Sequence, residues 1–164
     1  MMSAVRLYDF VLWIHVATVV IAFGAPFIYP MILARVTTAN PEALPGLYNA
    51  MIYAGRTLIS GAYLILLLAG AYLATDADLW SASWVSASFL ILIVLIGLSH
   101  GLALPTERKL SALATADLGK RSDGGAVNFS ADYEAAYRRL TLIGVISNVL
   151  VLIALYLMIV KPGG

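Results

Sequence analysis

"LWIHVATVVIAFGAPFIYP", residues 12–30, contains no Asp, Glu, Lys or Arg. A hydrocarbon core of ~30 Å is crossed by about 20 helical residues. The stretch is that long and shows no period-2 alternation, so it reads as a membrane helix rather than a barrel strand. It also carries an ionisable ring, His15, near its start and Pro26 and Pro30 near its end. Three further stretches share its character, which gives spans over about 9–34, 53–74, 83–103 and 140–160. The whole chain of 164 residues is 62% hydrophobic and 12% charged, with a mean hydropathy of +0.91, where a soluble domain carries about a quarter charged residues. The expectation is an all-α bundle of four transmembrane helices, one domain over 1–164.

The connections set the topology. "TTANPEALPG" (37–46) is a short loop whose prolines end one helix and start the next. "TDADLWSAS" (75–83) is an acidic hairpin. The long polar segment 106–132 reads as a loop whose first part extends the third helix to a Gly119 stop, with Ser130 and Asp132 starting the fourth. Arg35, Arg56, Arg108, Lys109, Lys120, Arg121, Arg138 and Arg139 fall on the side of the first and third connections, and Arg6 and Lys161 on the other. Basic residues near helix ends stay in the cytoplasm, so both termini and the acidic hairpin are expected outside. Trp13, Tyr72, Trp80, Trp84 and Tyr156 then form an outer aromatic belt, and Tyr29, Tyr48, Tyr53, Tyr133 and Tyr137 an inner one. Arg6 and "AFGA" (22–25) give residues 1–25 the outline of a secretory leader, and the reading keeps them as part of the first helix.

Composition removes several function classes. Without cysteine there is no disulfide framework, thiolate zinc site or iron–sulfur cluster. A net charge of +1 argues against a nucleic-acid partner. There is no GxSxG, phosphate loop or HExxH, and the methionines form no copper-selective run. Transport is not among the classes removed: four helices make a small transporter that would have to oligomerise, and no inverted repeat or membrane-embedded acid in matching halves points to one.

Wound into a helix, His15, Thr18, Ala22, Ala25 and Tyr29 form one small and polar stripe, with Trp13, Val16, Val20, Phe23 and Phe27 opposite. Membrane helix contacts favour small and hydrogen-bonding side chains, so the stripe faces inward. His15 lies roughly 9 Å below the outer helix end. An ionisable group inside a bundle is a functional candidate. The alternatives for His15 are a packed neutral imidazole, haem or metal ligation through one ring nitrogen, and proton relay. Thr18 and Asn148 are its natural partners by depth. His100, roughly 15 Å deeper, cannot share one haem with it. Gly97 and Gly101 around His100 make a GxxxG spacing, which reads as close packing. The alternative is a polar cluster of Arg56, His100, Glu107, Arg138 and Arg139 with Tyr53 and Tyr137, suited to anionic lipid or to the acidic groups of a ligand.

"WIH", followed nine residues after the histidine by the glycine of "FG" (Phe23, Gly24), together with the chain end "LMIVKP" (157–162), resembles the copper-resistance-D-like domain and its integral membrane relatives. That resemblance implies a bacterial inner-membrane protein linked to copper or haem handling. The position of His15 is also similar to the first-helix histidine of the bacterial four-helix protoporphyrinogen oxidase, although the third-helix lysine of that family has no counterpart before Pro105. Three readings follow. The first is a binding or accessory protein in the lipid bilayer that holds a cofactor or docks on a membrane partner or a second copy. The second is an oxidoreductase of a lipid-soluble or tetrapyrrole substrate, with His15 as ligand or proton acceptor and Arg56 holding an anionic group. The third is a purely structural subunit.

Overall fold

The computed structural model describes residues 6–121 and 127–162. Four long helices carry nearly all of them: α1 (Leu7–Ala39), α2 (Pro41–Asp76), α3 (Ser83–Gly119) and α4 (Ala131–Val160), each long and apolar enough to cross a membrane. No strand occurs among the described residues. The protein is an all-α, multi-pass membrane bundle.

Local chemistry explains the ends. Asp9 accepts a hydrogen bond from the Arg6 backbone N–H at 3.2 Å and closes the start of α1. Asp78 sits in the left-handed region (φ 51°) after α2. The Leu79 N–H then reaches the Ala74 carbonyl at 2.8 Å and the Asp78 N–H reaches Thr75 at 3.2 Å, a Schellman stop that glycine usually supplies. Ser130 caps α4 by accepting from the Tyr133 N–H at 3.3 Å. Ser83 Oγ donates to the Pro162 carbonyl at 3.5 Å, and Lys161 Nζ stands 5.7 Å from the Trp84 ring centre. The end of α4 is thus tied to the start of α3 at what is here the hairpin end of the bundle. The opposite, basic end carries most of the arginines and lysines.

All four helices outrun their apolar stretches, and the segment after residue 106 stays helical to Gly119. The overhangs build a compact core at the basic end from Leu33, Leu44, Tyr48, Met51, Leu110, Tyr133 and Leu140. Beyond the lipid, water drives apolar side chains together, whereas lipid tails give no such push and Leu, Ile and Val turn outward. Of the spans, α2 is the most enclosed, 39% of its apolar window being buried against 11–17% for the others, so it forms the middle of the bundle.

Two turns break the α-helical ladder. Gly55–Ile59 of α2 and Leu98–Ala103 of α3 are π-helical. Around them the neighbours change. Between α2 and the basic end, Leu44–Ala54 packs along Leu104–Gly119 of α3, whereas Ser60–Asp76 lies along α1 and the first half of α3 leans on α4. Splaying of α2 from α3 towards the hairpin end leaves a space between the helices.

Candidate functional site

That space is a cavity of about 260 Å³ between all four helices. Val19 and Phe23 of α1, Leu66 of α2, and Phe89 and Leu92 of α3 give it an apolar wall, with His15 projecting into it from α1. Gly70 of α2 lies against the ring: a Cβ at that position would stand 3.6 Å from both His15 Cε1 and Phe89 Cζ, in ordinary contact, and a larger side chain would meet them. Phe89 is held in turn by stacking on Trp80 at 5.4 Å between ring centres. His15 is half-buried, and its Nδ1 is fully buried with no hydrogen-bond partner among the described residues. Nε2 is therefore the ring nitrogen left on the open side.

The inward stripe of α1 is present, with Thr18 and Ala22 buried and Trp13, Val16 and Val20 turned out. Phe23 differs from expectation. It lies about 80° round the helix from His15, on the flank of the stripe, and packs inward edge-on to Tyr63 at 5.9 Å. The expected partners of His15 do not form. Thr18 Oγ1 donates to the Ile14 carbonyl of its own helix at 2.7 Å, and Asn148 lines a different cavity. Ser88, which also faces the His15 cavity, spends its proton on the Trp84 carbonyl at 2.7 Å.

The remaining candidates separate. His100 is exposed and pairs with Ser60 of α2, Nε2 to Oγ at 2.8 Å, beside the Tyr63 ring. Arg56, Arg138 and Arg139 are exposed, whereas Glu107 is buried at 8% exposure, so the polar cluster around His100 is not assembled. Gly97 and Gly101 do not pack within the chain either, since a Cβ at either would meet nothing within 4 Å. Both are exposed on the side of α3 turned away from the other helices. Gly70, Phe89 and Ser60 were missed by sequence reasoning. A glycine inside the apolar run 61–74 was the only signal for the first.

Among the described residues, no three of His, Cys, Asp and Glu gather as a metal site. No curated protein and no solved structure matches the chain. Residues 9–162 match the family described as "Predicted integral membrane protein (DUF2269)", and the chain belongs to that family.

Proposed function

We propose that the protein is a binding protein of the membrane whose cavity at the hairpin end receives the oxygen-bearing head of a lipid-soluble molecule, such as the carbonyl of a quinone. The observation that carries this reading is the sealed Nδ1 of His15. An orphaned buried N–H is rarer than an under-used acceptor, so the surroundings favour the tautomer with its proton on Nε2, a donor aimed at an otherwise apolar, aromatic-walled space. Pockets of this kind fix a ligand by one or two placed polar groups.

The same feature argues against haem or metal at His15. A ligating histidine offers a lone pair from one nitrogen and donates the other N–H to an acceptor, and no acceptor meets Nδ1. Those residues do not fit such a group.

The reading is tested with a W13F/W80F protein, in which Trp84 of the cavity wall is the remaining fluorophore, titrated with decylubiquinone. Saturable quenching is expected, weakened about tenfold by His15→Leu for the loss of one hydrogen bond and restored by His15→Gln, which keeps a donor. Quenching that never saturates, or that ignores residue 15, would overturn it. A Soret band lost in His15→Leu would replace it by haem binding.

The open Gly97 and Gly101 face favours a second role, docking of α3 on a partner helix or a second copy. Crosslinked species in membranes, lost in Gly97→Ile, are its test. The excess of Arg and Lys at the basic end supports a cytoplasmic placement of that end in a bacterial inner membrane.

A further inference from the structure

A second cavity, of about 110 Å³, lies between the first and the basic end. Glu107 is in its wall. Two carboxylates are buried among the described residues, Glu107 and Asp117. Asp117 is well served, accepting from the Ser130 N–H at 2.8 Å and from Lys120 Nζ at 3.3 Å. No hydrogen bond or ion pair from a described residue reaches Glu107. Arg108 and Lys109, its neighbours in sequence, are exposed, and no Lys, Arg or His lines the cavity. Arg108 and Lys109 turn outward and Glu107 turns in.

An isolated buried carboxylate is costly, and such a group takes up a proton instead. What surrounds it suits proton exchange. From α1 comes Tyr29, from α2 Tyr63, with Tyr48 close behind, from α3 Ser99, and from α4 Ser147 and Asn148. Tyrosine and serine hydroxyls each donate and accept. Pro26 and Pro30 also line the space, and their missing N–H groups leave the Ala22 and Pro26 carbonyls without the donor a regular helix supplies. Towards the hairpin end the polar lining stops. Phe23, Leu95 and Val151 belong to the walls of both cavities and form one apolar cluster with Tyr63.

We propose that Glu107 is a proton-loading carboxyl served from the basic end of the bundle, and that Phe23, Leu95 and Val151 are the partition that keeps it from the His15 cavity, so that the two cavities are the halves of a gated proton route across the membrane. The inference uses no ligand at His15 and stands apart from the binding function.

Loading is tested by labelling the protein in membranes with N,N′-dicyclohexylcarbodiimide, an apolar reagent that attacks protonated carboxyls, and locating the adduct by mass spectrometry. Modification is expected at Glu107, falling as pH rises, with no adduct on that peptide in Glu107→Gln. Labelling confined to the exposed acids would overturn the proposal. The route is tested in proteoliposomes under a potassium diffusion potential with an internal pH dye. Wild type is expected to be tight, Phe23→Ala/Val151→Ala to conduct protons several-fold faster, and the same variant with Glu107→Gln to be tight again. Val151→Ser, which places a hydroxyl in the partition, is the second variant if the double substitution does not fold. Partition variants that stay tight, or a leak that survives Glu107→Gln, would overturn the route.

Discussion

Ser60 Oγ stands 2.8 Å from His100 Nε2 and 2.8 Å from the Gly55 carbonyl, so one hydroxyl joins the π-helical turns of α2 and α3. His100 Nδ1 lies 3.1 Å from the Ile96 carbonyl, which accepts only. That nitrogen therefore carries a proton, and Nε2 of the neutral ring is an acceptor. The single proton of Ser60 is then shared between two acceptors across the point where the helices change neighbours.

A pair joined in this way is coupled. Ser60→Ala and His100→Phe are each expected to destabilise the bundle, and the double variant to fall short of the sum by about 0.5–1.5 kcal/mol, the net value of one hydrogen bond. Unfolding of the detergent-solubilised protein in increasing sodium dodecyl sulfate measures it. Additive effects would show that the two turns are held by packing alone.

The core at the basic end contains a hydrogen bond of a different kind. Tyr48 and Tyr133 are 0% and 1% exposed, and their hydroxyls meet at 3.0 Å. Thr37 Oγ1, whose proton goes to the Leu33 carbonyl at 2.8 Å, lies beside Tyr133 and not beside Tyr48, with a lone pair that can accept from it. Removing one hydroxyl therefore has unequal consequences. Tyr133→Phe leaves the Tyr48 hydroxyl buried and unpaired and is expected to cost about 1–3 kcal/mol. Tyr48→Phe leaves Tyr133 with Thr37 and is expected to cost less. The same unfolding series measures both, and equal losses would mean that Thr37 does not serve as the substitute partner.

What sequence made legible was the helix layout and its local stops. Ser130 caps α4 and Gly119 ends α3 because both signals are carried by one residue and its neighbours in the chain. The inward stripe of α1 was legible for the same reason, since small and polar residues recur at helical spacing. The contents of the site were not. Whether His15 meets Asn148 or Gly70 depends on where α2 and α4 lie, and two π-helical turns shift that register in a way no periodicity announces. Glu107 was obscured by its setting: "ERK" in a polar segment looks like a solvated helix face, and only the fold of the overhanging helices turns its first residue inward and the next two out.

The topology that the distribution of basic residues predicts is open to direct mapping, because the chain has no cysteine of its own. Ala77→Cys in the hairpin and Ala116→Cys near the end of α3 are both at exposed positions. In intact bacterial spheroplasts the first is expected to react with an impermeant maleimide and the second only after lysis. The opposite pattern would place the basic end outside, and with it the side of the bundle that holds Glu107.

Gly70 separates space from stability at the His15 site. Its added Cβ would stand 3.6 Å from His15 Cε1 and from Phe89 Cζ, which is ordinary contact. Gly70→Ala is therefore expected to fold as well as wild type or better, by up to about 1 kcal/mol of helix propensity, and to keep decylubiquinone binding. Gly70→Leu has no such room. The branched side chain must displace His15 or Phe89 and fill the floor of the cavity, so binding is expected to be lost while the compact core at the basic end, which Gly70 does not touch, keeps its resistance to proteolysis. If Gly70→Leu binds as wild type does, the ligand does not enter between α1, α2 and α3, and His15 is a packing residue over a small neighbour.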